Sequence, residues 1–137
     1  MTADALRVLR GHRYLRLTTV RRDGRAVPTP VWFAEDGGCW YVMTVANSGK
    51  VKRVRHTPRV EVAPCDARGR PLGPSLAATA RVLPPSAAAR VEALLNRKYA
   101  LLKRGFDLLL KLHRVERTYL ELCPATPVDD PAGPRAA

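Results

Sequence analysis

The sequence predicts a mainly β fold of the α+β type, an antiparallel barrel of six or so strands with helices at its periphery. Three observations predict it. Several short segments alternate apolar and polar residues, most clearly 14–20 and 59–64, and that alternation marks a half-buried strand. Asp23-Gly24 and Gly37-Gly38 stand between such segments, and Asp-Gly and Gly-Gly pairs supply the positive φ that tight hairpin turns require. Helical periodicity is confined to the N-terminus, a short piece after Asn47 and a segment after Ser86. Short strands joined by tight turns favour an antiparallel barrel.

In chain order, residues 3–9 form a short helix with Leu6 and Leu9 on one side, and Gly11 stops it. The strand 14–20 places Leu15, Leu17 and Thr19 on one face and Tyr14, Arg16 and Thr18 on the other. After the Arg22-Asp23-Gly24-Arg25 turn a second strand runs from Ala26 to about Ala34, interrupted by Pro28 and Pro30. Proline cannot donate to a ladder, so one side of this strand is unpaired: it is an edge strand, or its free side faces a ligand. Cys39 to Thr44 is a third strand rich in β-formers. The turn Asn47-Ser48-Gly49 follows, then a helix from Gly49 to Arg55 with Ser48 as its N-cap and Val51 and Val54 inward. Residues 59–64 make a fourth strand, 65–71 a loop, and about 75–83 a fifth strand. Ser86 is placed to cap a further helix with the stripe Val91, Leu94, Leu95, continued by a helical segment 99–113 that Gly105 kinks. Thr118 to Leu122 is the closing strand. One domain spans 1–124, and 125–137, rich in Pro and Ala, is expected to be a disordered tail.

With 137 residues, 46% of them hydrophobic, the chain is one globular domain with a single core. No apolar run reaches the ~20 residues of a membrane span. The first residues lack the basic and apolar regions of a signal peptide, so a cytoplasmic location and no membrane partner are expected. The cysteines Cys39, Cys65 and Cys123 are odd in number and widely spaced, and are expected to be reduced. With scattered histidines and no Cys-x-x-Cys, no metal site is predicted. The net charge of +12 suggests an anionic partner. Between Asn47 and Arg70 seven basic residues face only Glu61 and Asp66, so the charge gathers around the start of the inserted helix.

That start is the candidate site. A strand ending at Thr44 delivers a hydroxyl to a Ser-capped helix whose first turns carry Lys50 and Arg53. Free N–H groups, the helix dipole and two cations on one face suit a phosphate.

The motifs Arg22-Asp-Gly-Arg25, Pro28-Thr-Pro-Val-Trp-Phe33, Thr44, Ser48-Gly-Lys-Val-Lys-Arg53, Pro58-Arg-Val60 and Ala63-Pro-Cys-Asp-Ala-Arg-Gly69 resemble those of the pyridoxamine 5′-phosphate oxidase-like split-barrel flavoproteins. More narrowly, they resemble the short actinobacterial members that use the deazaflavin coenzyme F-420. The resemblance runs from about Arg13 to Pro124. It implies an FMN-binding type of split barrel and a homodimer with cofactor sites at the subunit interface. It implies that Thr44, Ser48 and Lys50 hold the cofactor phosphate. Pro28, Thr29, Pro30, Val31, Trp32 and Phe33 would line the ring, largely through their backbone. Gly49 stands where FMN oxidases of the superfamily often carry Arg, which weakens the resemblance to FMN oxidase chemistry and leaves Lys50, Lys52 and Arg53 as the positive group. Arg55, Arg68 and Arg70 are candidate partners of the anionic cofactor tail. Trp32 is either a ring contact or core packing, and Lys98 and Tyr99 are candidates for shaping the substrate pocket.

The activity implied is an oxidoreductase passing hydride between F-420 and a small-molecule substrate. No Ser/His/Asp, Cys/His or paired-carboxylate constellation is present, as expected where the cofactor carries the chemistry, and no catalytic side chain is assigned. An FMN-binding protein or FMN-dependent oxidase of the same fold is the alternative. A basic nucleic-acid-binding barrel is a third reading, opposed by an aromatic content of only 6% and by the lack of a stacking platform.

Overall fold

The Asp23-Gly24 turn does what its chemistry predicts. Gly24 takes φ +87°, the Asp23 carboxylate accepts the Arg25 N–H at 2.9 Å, and β1 (Tyr14–Val20) pairs antiparallel with β2 (Ala26–Asp36) from the turn onward. The second turn uses positive φ at both Gly37 and Gly38 to pass β2 into β3 (Cys39–Val45). These elements belong to a computed structural model that describes residues 2–46, 48–99 and 116–125.

Three more strands complete the sheet: β4 (Arg59–Cys65), β5 (Leu76–Val82) and β6 (Arg117–Pro124). The order β1-β2-β3-β6-β5-β4 closes into a six-stranded barrel, antiparallel at every pairing. Inward residues follow the two-residue period: Leu15 and Leu17, Val60 and Val62, Ala78 and Ala80, and Leu120 and Leu122 share one buried cluster with Phe33, Trp40 and Val42. Helix α1 (Thr2–Leu9) adds Leu6 and Leu9 where β1 begins, and α2 (Gly49–His56) adds Val54 near the end of the barrel where β1 finishes. Apolar burial of this kind contributes roughly 1.5–3 kcal/mol for each fully buried large side chain.

A second cluster lies outside the barrel. A helix whose described part is 88–99, here α3, covers the outer faces of β2, β3 and β6. It brings Val91, Leu95 and Tyr99 onto Ala34, Tyr41, Met43 and Tyr119, so the stripe read from the sequence is the packed face. Tyr99 is 5% exposed and its ring stacks on Trp32 at 4.8 Å between centroids. Its hydroxyl accepts the Phe33 N–H at 2.9 Å and has the carbonyls of Arg13 (2.6 Å) and Phe33 (2.9 Å) as acceptors. The β1–β2 pairing stops at Tyr14 opposite Trp32, and the Tyr99 hydroxyl continues it by one rung. Replacing Tyr99 with Phe keeps the ring but leaves a buried N–H and a carbonyl unpaired, at an expected cost of about 1–3 kcal/mol. A urea-unfolding midpoint unchanged from the parent would show that the hydroxyl contributes nothing.

The fold corrects several expectations. Ser48 occupies the N-cap position of α2 but makes no side-chain cap bond, and its hydroxyl lies 3.5 Å from Thr44 Oγ1 instead. Ser86 sits inside a short 3-10 turn, Pro85–Ala87, so it does not cap α3. The cysteines are not all reduced: Cys39 and Cys123 form a disulfide across β3 and β6, and Cys65 alone is free and buried. The cause is register, for Trp40 pairs with Leu122 and the next facing positions are the two cysteines, 4.4 Å apart at Cα. The helical segment expected at 99–113 lies outside the described residues from 100 onward, as does the tail from 126. No described helix is long and apolar enough to cross a membrane.

Candidate functional site

The prolines of β2 open the site. Pro28 lies opposite Thr18 and Pro30 opposite Arg16, and the pairing with β1 runs unbroken through both. Bonding positions alternate along an antiparallel ladder, so Val27, Thr29 and Val31 must be the donors to β1. The polar edge of Pro28 and Pro30 then faces away and offers carbonyl acceptors without N–H donors. Pairing of β2 with β3 starts only at Phe33 opposite Val42. The barrel is therefore split between the first half of β2 and the second half of β3.

A cavity of about 350 Å³ fills the split, lined by Tyr14, Pro30, Val31, Trp32, Met43, Thr44, Val45, Lys50 and Ala67. Its size is at the lower end of the range for small-molecule sites. One wall is the outer face of β2, with Trp32 backed by its stack on Tyr99. The opposite wall is the end of β3 and the first turn of α2. The β4–β5 loop folds over the top, and a Cβ on Gly69 would lie 3.5 Å from Pro30 Cδ. That loop is rigidified by Asp66, whose carboxylate accepts the N–H groups of Arg68 and Arg70 at 2.9 Å each and Arg70 Nε at 2.7 Å. The Arg70 backbone bond, first among several, holds the Asp66 carboxyl below its ordinary range.

Lys50 supplies the positive charge of the cavity. It is half-buried, and no carboxylate pairs with it among the described residues. Burial, then the neighbouring Arg53 charge, lowers its pKa from the ordinary lysine value. An anion beside it would relieve both effects, because opposite charge favours the ammonium.

The structure thus brings Pro30, Val31, Trp32, Thr44 and Lys50 together in one cavity. The other candidates lie elsewhere. Phe33 is 2% exposed in the barrel interior, and the Lys98 ammonium lies 3.3 Å from its ring centroid. Thr29 pairs opposite Leu17, and Pro28 is exposed. Ser48 does not line the cavity and meets it through two lining residues, its hydroxyl beside Thr44 Oγ1 and its N–H donated to the Val45 carbonyl at 3.0 Å. Gly49 and Arg53 line a neighbouring basin with Arg21, Arg22, Asp23 and Lys52. Lys50 and Arg53 therefore serve different hollows despite their three-residue spacing. Arg55 lines a depression near Val82, Leu83 and Arg117, and Arg70 is paired with Asp66. Tyr14, Met43, Val45 and Ala67 are cavity residues that the sequence reading did not single out. Tyr14 was reachable through the hairpin, because the Asp-Gly turn fixes it opposite Trp32. Ala67 was not, because loop placement depends on the closed barrel.

The comparisons agree with this architecture. The family model for pyridoxamine 5′-phosphate oxidase matches residues 1–114. The chain belongs to that family, within the split-barrel fold. No curated protein sequence matches it. Among solved structures, it is similar to the conserved hypothetical protein Rv2991 from Mycobacterium tuberculosis, at 22% identity and TM-score 0.67, over 90% of this chain and 80% of that one. It is similar to HutZ, the heme storage protein from Vibrio cholerae, at 14% identity and TM-score 0.66, over 90% and 89%. It is also similar to a FAD-binding protein from Mesorhizobium loti, at 16% identity and TM-score 0.64, over 92% and 89%. At such identities the likeness is one of fold.

Proposed function

We propose that the protein is an oxidoreductase that binds the deazaflavin coenzyme F-420 in the split of the barrel and passes hydride between it and a small-molecule substrate. The observation that carries the reading is a cavity that joins a proline-edged strand, a Trp32 wall and a half-buried Lys50 with no ion-pair partner among the described residues. The residues present fit such a group. A flat ring with an imide N–H needs a carbonyl acceptor, and the edge of Pro28 and Pro30 has acceptors only. An anionic arm needs a cation beside free helix N–H groups, and Lys50 stands in the first turn of α2.

The bound cofactor would supply the hydride chemistry. The chain's own work is positioning: Trp32, held by Tyr99, fixes one wall, the braced β4–β5 loop limits water, and Lys50 and Thr44 orient the anionic arm. Family membership and the FAD-binding likeness favour a flavin as the second reading, with FMN in the same cavity. Two subunits assembling around the sites would cover exposed apolar residues such as Val45 and Leu72, and a homodimer is part of the proposal.

Calorimetric titration of the purified protein with F-420 and with FMN tests the reading. Tighter binding of F-420, weakening as salt screens the charges over ~10 Å, is the expected result. Preferential FMN binding would transfer the site to the flavin reading, and binding of neither would end both. Sedimentation of the same sample as a stable monomer at micromolar concentration would remove the dimer.

A further inference from the structure

We propose that the β1–β2 turn and the outer side of α2 form a second anion site, separate from the Lys50 cavity, that takes a phosphate- or carboxylate-bearing group. The basin there has a volume of about 380 Å³ and is lined by Arg21, Arg22, Asp23, Gly49, Lys52 and Arg53. None of its four cations makes an ion pair with a carboxylate among the described residues. Asp23, its one acidic residue, accepts the Arg25 N–H of the turn through one carboxylate oxygen and offsets only one of the four positive charges.

The basin is built as well as charged. Arg53 Nε donates to Thr19 Oγ1 at 2.5 Å, and Thr19 is fully buried in β1. That anchor fixes the guanidinium and leaves its Nη groups over Gly49, where an added Cβ would lie 2.5 Å from Nη1. The absence of a side chain at Gly49 is what lets Arg53 fold back across the start of the helix. Burial, then repulsion from Arg21, lowers the Arg53 pKa. Four cations against the one carboxylate of Asp23 leave the basin with excess positive charge, and like charges gathered in this way are relieved by a further anion. Arginine's planar fork suits phosphate and carboxylate groups in particular.

Two sources share this chemistry: the far end of an anionic cofactor whose ring lies in the neighbouring cavity, and a free anionic substrate. Both are tested with a double variant, Arg21→Gln with Lys52→Gln. Both residues are exposed, so the fold is expected to survive, with circular dichroism as the check. Inorganic pyrophosphate is titrated into Lys50→Ala protein, with and without the double substitution, so that the first cavity is out of play. The expected result is binding that weakens at least tenfold when Arg21 and Lys52 are neutralised, while FMN affinity of the double variant on the wild-type Lys50 background moves less than twofold. Equal pyrophosphate binding with and without the two cations, or none at millimolar concentration, overturns the proposal. A parallel loss of F-420 affinity in the double variant supports the site as the seat of the cofactor's far end. Unchanged F-420 affinity beside lost pyrophosphate binding supports it as the seat of a free anion. Failure of the cofactor reading shows separately, as wild-type protein that binds neither F-420 nor FMN yet still binds pyrophosphate.

Discussion

Replacing Lys50 with Ala is expected to weaken cofactor binding tenfold to a hundredfold and to leave the fold intact. The affinity change follows from loss of one charge-assisted hydrogen bond, worth ~1.5–3 kcal/mol. The intact fold follows from the surroundings. Lys50 has no ion-pair partner among the described residues, and burial disfavours its charged form. Its removal therefore strands no buried counter-charge. The control is Lys52→Ala. Lys52 lies on the same helix but lines the neighbouring basin, outside the cavity of Trp32 and Thr44. Its loss should change FMN affinity by much less. Titration calorimetry on both variants, with circular dichroism to show both folded, decides the matter. Equal losses would mean that α2 acts as a diffuse positive surface and that no discrete phosphate seat exists at Lys50.

That Lys50 and Thr44 meet in the candidate cavity was legible in the sequence because this part of it is local. Strand, turn and helix follow one another from Cys39 to His56, so a strand-end hydroxyl and a first-turn lysine are brought together within seven positions. The strands were legible for a similar reason, since alternation and Asp-Gly or Gly-Gly turns are short-range signals. What escaped depends on register between distant segments. The Tyr99 hydroxyl meets Arg13 and Phe33 across separations of 86 and 66 residues. Arg21 and Arg22 read as an ordinary charged turn until Thr19 is seen to anchor Arg53 beside them. Arg70 was a tail candidate by charge alone, and its pairing with Asp66 depends on how the 65–71 loop turns, with Gly69 at φ +89°.

Breaking the Cys39–Cys123 bond is expected to be the largest single loss of stability among these changes. Tyr99→Phe removes a hydroxyl, whereas reduction releases a chain constraint spanning 84 positions. A disulfide typically contributes about 2–4 kcal/mol, mainly through the unfolded state and more for longer loops. For a domain of this length that is roughly 10 °C in Tm. The bond also ties β3 to β6 one position beyond the end of their ladder at Trp40 and Leu122. Two measurements are needed, thermal unfolding with and without a phosphine reductant, and the same for Cys39→Ala with Cys123→Ala. Cys65 is buried and apart from the bond, so Cys65→Ala should leave the reductant effect in place. Thiol counting on denatured, unreduced protein should find one free cysteine. Three free thiols, or a Tm that the reductant does not move, would show that β3 and β6 are held by their ladder alone.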